Sequence, residues 1–426
     1  MRVLVLGAAV SGRSALRLLE SEGHEVVLHD LDPAAVADLA EGRTAVGGPW
    51  DPALLEGIDL MVPSPGISEH AAPVRDGLAM GIPVISELEL AASRLDVPYA
   101  AVTATNGKTT VTALAADMLT ASGLRAAAVG NIGDPLCDAA GGEWDVLVVE
   151  ASSFQLRFID TFHPAAAVLL NVAPDHLDWH GSFEAYRDAK ARIHENQTAD
   201  DVLVYDADDP GAAEAVAGAT SRLLPVSGTR RAEGGGPEDG KLWMADVAVD
   251  AAALATTDPA FLADLAAAGA VARHLGASSD GVAAAAGAFG PGRHRREVVG
   301  TWEGVTWVND SKATNPHAAL AAVRAYPSVV LIAGGRNKGL DVAPIATEPS
   351  VRHVLTLGEE GPAILAAARE GTAVADMDEA VAVADGLALP GDTVLLAPGC
   401  ASFDMYDSYG ERGDHFVALV RARKEG

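Results

Sequence analysis

Short, continuous runs of Val, Leu, Ile and Ala, each followed by a turn and a helical pattern, recur along almost the whole chain and restrict its fold more than any other feature. They include Arg2 to Leu6, Glu25 to His29, Asp59 to Val62, Tyr99 to Thr103, Asp145 to Val149, Ala167 to Leu170, Val202 to Tyr205, Val329 to Ile332, Val354 to Leu357 and Thr393 to Leu396. A strand buried on both faces reads as an unbroken apolar run, and strands alternating with helices build parallel sheets covered by their crossovers. The fold class is therefore α/β. In such sheets ligands bind in the loops at the carboxyl ends of the strands, so the residues that follow each run are the first candidates for chemistry.

Two breaks divide the chain. Leu95-Asp96-Val97-Pro98 follows a short acidic and apolar helix, and Phe289-Gly290-Pro291-Gly292 ends an alanine-rich helical stretch. They give domains of 1–94, 95–290 and 291–426, in keeping with a length of 426 residues. Gly228 to Gly240, with its glycines, charges and Pro237, reads as an exposed loop, and Ala251 to Ala288 as small-residue helices.

Lys and Arg total 30 against 59 Asp and Glu, a net charge of −29 that repels nucleic acid and anionic membrane. Neither is an expected partner, and any nucleotide site must carry its own cations and backbone N–H groups. The acidic surplus also fits a protein adapted to high salt. Cys137 and Cys400 are too few and too far apart for a disulfide framework or a metal-ligand pattern. The opening apolar run reaches glycine at Gly7, short of a signal peptide or spanning helix, so a cytoplasmic location is expected.

The most specific motif is Ala104-Thr105-Asn106-Gly107-Lys108-Thr109-Thr110, between the run Tyr99 to Thr103 and the helical pattern Val111 to Ser122. Strand, glycine loop and helix N-terminus together form an anion cradle. Lys108 reaches terminal phosphates, and the Thr109 hydroxyl can ligate magnesium. Ala104 stands where a short loop of this kind favours glycine, at a cost if a positive φ is needed. Glu150 ends the next buried run, at the sheet edge where a nucleotide-bound metal would sit. Asn171 to His180 forms a loop rich in oxygen and imidazole donors, followed by a helix carrying Lys190, a residue that taken alone reads as solvated.

Gly7-Ala8-Ala9-Val10-Ser11-Gly12, with Asp30 ending the second run, is similar to a dinucleotide fingerprint, although Ala9 replaces its middle glycine. The site suits NAD or another nucleotide carried by a substrate. Late in the chain, Asn309 to Asn315, Ala333 to Gly339 and Ala401 to Tyr406 place polar and cationic residues after apolar runs, an arrangement suited to an anionic small molecule.

Taken in order, several segments resemble the Mur ligase family over essentially the whole chain. They are Thr105 to Thr110, Gly130-Asn131-Ile132-Gly133, Glu150 to Leu156, Asp175-His176-Leu177-Asp178, Tyr186 to Lys190, Asn309 to Asn315, Cys400 to Asp404 and Arg412-Gly413. The resemblance implies a Rossmann-like N-terminal domain, a central P-loop ATPase-like domain and a Rossmann-like C-terminal domain. It implies an ATP-dependent ligase that adds D-glutamate to UDP-N-acetylmuramoyl-L-alanine in peptidoglycan synthesis, acting as a monomer, with two magnesium ions and a carbamate on Lys190.

Lys108, His176 and Lys190 are then the catalytic residues. Thr105, Asn106, Gly107, Lys108, Thr109, Thr110, Arg295 and Asp310 contact ATP, while Thr109, Glu150, His176 and the carbamylated Lys190 ligate metal. Val10, Ser11, Asp30, Ser64, Pro65, Gly66 and Asn131 meet the UDP-substrate. Lys312, Thr314, Lys338, Ser402, Phe403 and Tyr409 hold D-glutamate. Two positions depart from the family pattern: Ala104 replaces a glycine and Tyr409 a phenylalanine.

Overall fold

The computed structural model describes residues 1–39, 44–290 and 292–425. The chain packs as two compact units, Met1–Val172 with Glu184–Phe289, and Ala173–Phe183 with Gly290–Gly426.

The first unit holds two sheets. One is built from β1 (Arg2–Leu6), β2 (Glu25–Asp30), β3 (Thr44–Gly47) and β4 (Leu60–Pro63), all parallel, in the order β3-β2-β1-β4. Val3 to Leu6 are fully buried, as their unbroken apolar run requires. The chain leaves β1 toward β2 on one side and returns to β4 on the other. That reversal opens a crevice at the carboxyl end of β1.

The larger sheet comprises β5 (Tyr99–Thr103), β6 (Ala126–Gly130), β7 (Val146–Glu150), β8 (Ala166–Leu169), β9 (Val202–Asp206), β10 (Arg222–Val226), β11 (Gly235–Glu238), β12 (Lys241–Met244) and β13 (Val247–Asp250). Its order is β13-β12-β11-β10-β9-β8-β5-β7-β6, parallel from β6 to β11 and antiparallel through β12 and β13. Here β5 is the reversal point, with β7 and β8 on its flanks. The alanine-rich helices Pro259–His274 and Ser279–Ala288 pack on the helix Lys108–Ala121, their small side chains permitting close approach over the main core.

One expectation is corrected in this sheet. The segment Gly228 to Gly240 is not an exposed loop throughout, because Gly235–Glu238 forms β11 and Gly234 to Gly236 are buried. A Cβ on Gly235 would lie 2.6 Å from the Trp243 carbonyl oxygen and 2.9 Å from the Ala266 Cβ. The glycine serves a tight approach between strand and helix rather than chain freedom.

The second unit is built on β14 (Glu297–Trp302), β15 (Val305–Asn309), β16 (Val329–Gly334), β17 (Val351–Leu357), β18 (Gly371–Ala373) and β19 (Thr393–Leu396). The order is β14-β15-β19-β16-β17-β18, with only the edge strand β14 antiparallel. Two apolar layers cover its faces, one around Ile345 and Val354 and the other around Trp307 and Phe416. The loops after β15, β16 and β19 emerge at one edge, as parallel neighbours require.

Candidate active site

Strand β5 is buried along its whole length and delivers the chain to Ala104 at the reversal point of the larger sheet. Ala104 is buried and is not among the residues with positive φ, so its side chain imposes no left-handed strain. That conformation falls on Gly107, with φ 91°, which ends the loop and caps the helix Lys108–Ala121. The loop is clamped by Asn171: its carbonyl accepts from the Thr105 N–H at 2.9 Å, its Oδ1 from the Asn106 N–H at 2.9 Å, and its Nδ2 donates to the Asn106 carbonyl at 2.9 Å.

Two lysines converge on this loop. Lys108 Nζ donates to the carbonyls of Ala104 at 2.7 Å and Thr105 at 3.2 Å. Lys190 Nζ donates to the same Ala104 carbonyl at 2.8 Å and lies 4.7 Å from the centre of the Tyr186 ring. Only 1% of Lys190 is exposed, which overturns the solvated reading of that residue taken alone. Tyr186 and Lys190 stand four apart on the helix Phe183–Ala191 and so share a face. The Tyr186 hydroxyl meets Thr105 Oγ1 at 3.1 Å, tying the helix to the loop.

On the other flank of β5, Glu150 ends β7 opposite Val102. Its side chain is 2% exposed; Oε1 accepts from Asn131 Nδ2 at 2.8 Å, while the buried Oε2 has no hydrogen-bond partner. An unsatisfied buried carboxylate oxygen is costly and marks a place for a cation or donor. Thr109 and Thr110 occupy the first turn of the helix that Gly107 caps. Lys108, Glu150, Asn131 and Lys190 thus gather at one sheet edge with the loop.

His176 falls in the second unit, within Ala173–Phe183. It adopts φ 52° and precedes the helix Leu177–His180. Its neighbour Asp175 is buried, accepting from Lys338 Nζ at 3.1 Å and Asn315 Nδ2 at 3.2 Å. Burial pushes the Asp175 pKa up, but the charges of Lys338 and His176 outweigh it and hold the carboxyl below its ordinary value.

In the same unit, Asn309 Nδ2 contacts His294 Nδ1 at 2.9 Å, and Asp310 Oδ1 accepts from the Arg296 N–H at 3.2 Å. Arg295 and Thr314 are half-buried in the flanking turns, and Lys312 Nζ lies 5.2 Å from the Tyr409 ring centre. Buried Arg412 donates to the Ser311 hydroxyl and carbonyl and to the Cys400 carbonyl, locking the loop after β15 to the loop after β19. Burial pulls its pKa down to about 10. Ser402 is buried and Phe403 is 64% exposed.

At the carboxyl edge of the smaller sheet, Asp30 accepts from the Ala8 N–H at 2.7 Å and the Asp32 N–H at 2.9 Å. Ser64 sits against Gly7, whose φ of 91° leaves no room for a Cβ beside the Ser64 hydroxyl. Val10, exposed, and Ser11 open the helix Val10–Ser21, and Pro65 and Gly66 lie in the turn after β4.

Sequence reasoning passed over Tyr186 as a site residue, though its four-residue spacing from Lys190 was legible. It missed the clamp made by Asn171, which depends on the β5–β8 pairing and leaves no local mark. Among the described residues, no three His, Cys, Asp or Glu side chains gather into a metal cage, and no helix is long and apolar enough to cross a membrane.

The α/β fold, with its three successive sheets, is matched by three domain models of an ATP-dependent ligase family. Residues 1–86 match the Mur ligase MurD-like N-terminal domain, 102–246 the Mur ligase middle domain, and 294–400 the Mur ligase glutamate ligase domain. The UDP-N-acetylmuramoylalanine--D-glutamate ligase of Desulfosudis oleivorans is 40% identical over 100% of this chain and 97% of its own length. The protein of the same name from Frankia casuarinae is 41% identical over 99% and 94%. Among solved structures, UDP-N-acetylmuramate-alanine ligase MurC of Thermotoga maritima has the same fold, with a TM-score of 0.57 at 17% identity over 100% of both chains. The chain belongs to the Mur ligase family.

Proposed function

We propose that this chain joins D-glutamate to the L-alanine carboxylate of UDP-N-acetylmuramoyl-L-alanine, converting ATP to ADP and phosphate. The observation that carries the reading is the convergence of Lys108 and Lys190 on the Ala104 carbonyl, with the unsatisfied Glu150 Oε2 at the same sheet edge. The substrates follow from those of the full-length relatives, which are named as UDP-N-acetylmuramoylalanine--D-glutamate ligases.

A carboxylate is a poor electrophile until one of its oxygens becomes a leaving group. Transfer of the γ-phosphoryl to the L-alanine carboxylate gives an acyl phosphate and ADP. The D-glutamate amine then attacks the carbonyl carbon, and the tetrahedral intermediate expels phosphate as the amine loses its proton. Thr105 to Thr110 cradle the phosphates, with the backbone donors supplied from Gly107 to Thr110 because the Thr105 and Asn106 N–H groups are taken by Asn171, and Lys108 follows the charge that spreads over the transferring phosphoryl. Arg295 and Asp310 contact the nucleotide. Lys312, Thr314, Lys338, Ser402, Phe403 and Tyr409 hold D-glutamate, while Val10, Ser11, Asp30, Ser64, Pro65, Gly66 and Asn131 receive the UDP-substrate.

The donor set fits magnesium: a buried unpartnered carboxylate oxygen on Glu150 and the Thr109 hydroxyl in the first turn of the helix that Gly107 caps. When bound, magnesium would neutralise charge on the transferring phosphoryl. Glu150 and Thr109 would hold one ion, His176 and Lys190 a second. A carbamate on Lys190 would convert a buried cation into an oxygen ligand. The division 1–94, 95–290 and 291–426, a monomeric state and a cytoplasmic location complete the reading.

The test is phosphate release from ATP against a panel of UDP-muramoyl substrates and of D- and L-amino acids. Release that requires UDP-N-acetylmuramoyl-L-alanine and D-glutamate together is expected. Release with another pair, or reduction of NAD in place of ATP turnover, would overturn the assignment.

A further inference from the structure

One arginine ties together the two segments that wall the crevice at the carboxyl end of β1. Arg13 lies one turn into the helix Val10–Ser21, and every nitrogen of its guanidinium is engaged. Nε donates to the Ala8 carbonyl at 2.7 Å, Nη2 to the Ala35 carbonyl at 2.8 Å and to Asp38 Oδ1 at 3.0 Å, and Nη1 to Asp38 Oδ2 at 2.7 Å. Ala8 belongs to the turn after β1, and Ala35 to the short helix Pro33–Val36 after β2.

The turn after β1 is held on its other sides as well. The Ala8 N–H donates to Asp30 Oδ2, at the end of β2. A Cβ on Gly12 would lie 1.8 Å from the Gly7 carbonyl oxygen, and one on Gly7 would lie 2.5 Å from Ser64 Oγ. Helix and β4 therefore bar movement in two directions, and the freedom left, relative to Pro33–Val36, is the one that Arg13 removes. Stability alone is a weak reason for such a strap. Asp38 is 63% exposed at its side chain, and exposed ion pairs contribute little. The two carbonyl bonds differ in kind, because a planar fork can satisfy both at only one separation of the segments that carry them. Ligand recognition depends on that separation, since contacting groups must be held to within about 0.5 Å.

We propose that Arg13 is a positioning residue for the UDP-substrate, setting the distance between the turn after β1 and the helix Pro33–Val36 and hence the width of the crevice that receives the uridine diphosphate portion. The inference rests on the reading of that crevice as the UDP-substrate site. Arg13 acts through the Ala8 and Ala35 backbone and not through its charge, so the affinity of one substrate out of three depends on it.

Steady-state phosphate release by the full chain tests this, with UDP-N-acetylmuramoyl-L-alanine, ATP and D-glutamate varied in turn. In Arg13→Leu, the KM for the UDP-substrate should rise at least about tenfold, while kcat and the other two KM values stay within about threefold of the parent. Arg13→Lys keeps the charge at a single point and cannot span both carbonyls, so its KM should remain at least about fivefold above the parent. Asp38→Asn leaves both carbonyl bonds in place and should change that KM less than about twofold. Full restoration by lysine overturns the inference in favour of charge acting on the diphosphate. Equal rises in all three KM values, or none in any, overturn it in favour of a scaffold role. Should Arg13→Leu not fold, the other two variants decide: a rise in Arg13→Lys without one in Asp38→Asn supports the strap, and any other pattern overturns it.

Calorimetry separates this inference from the reading beneath it. UDP-N-acetylmuramoyl-L-alanine should bind the parent more tightly than Arg13→Lys, and equal affinities overturn the positioning role alone. Failure of that substrate to bind the parent overturns the crevice as its site, and the inference with it.

Discussion

The Ala104 carbonyl receives two ammonium groups, one from Lys108 and one from Lys190, and the two lysines should respond to substitution differently. Lys108→Ala removes the cation that follows the transferring phosphoryl. Its turnover, read as phosphate release, should fall by at least about 100-fold, the scale of losing one transition-state donor; a variant near parental activity contradicts the role. Lys190→Ala should be inactive yet partly rescued by short-chain carboxylic acids, because the proposed carbamate acts as an oxygen ligand. Absence of rescue, with an unmodified lysine found by mass analysis and in density, argues against it. At this scale the sequence was informative where chemistry is local: Gly107, Lys108 and Glu150 were legible from strand, loop and helix order. It was silent on the clamp made by Asn171, whose role depends on which strands become neighbours.

The short helix Glu87–Ala92 shows how much an element can depend on one proton. Ser86 caps it, and Glu87 is buried, with Oε1 accepting from Gln155 Nε2 at 3.2 Å and Oε2 without a partner. Burial raises the Glu87 pKa to about 7, and the bond from Gln155 only partly opposes this. The folded state then holds the proton more tightly than the unfolded state. Its contribution to stability is complete below the ordinary carboxylate range and declines as pH rises toward and through 7. The shift corresponds to roughly 3 kcal/mol. Glu87→Gln should therefore flatten the loss of melting temperature between about pH 5 and 8; parallel slopes for parent and variant would refute this. Elements with unbroken apolar runs, such as β5 and β7, were readable because burial on both faces writes itself into composition. β11 was not, because its glycines look like a loop until Trp243 and Ala266 press against them.

Across the whole molecule, a net charge of −29 means that compaction works against self-repulsion, which mobile ions relieve. Melting temperature should rise as potassium chloride is added, and a flat or falling curve removes salt adaptation as an explanation of the acidic surplus. The alternation of strands and helices foretold parallel sheets, and the ordered motifs foretold the family. The path of the chain between units was invisible, because nothing local in Ala173–Phe183 marks it as packing with residues that follow Gly290. The backbone passes from one unit to the other at Val172, returns by Glu184, and crosses again after Phe289. A ribosome therefore releases Asp175 long before Lys338, its cationic partner 163 positions later. During synthesis that short excursion must wait in water, and the second unit can close its charge only when nearly the entire polypeptide has been made.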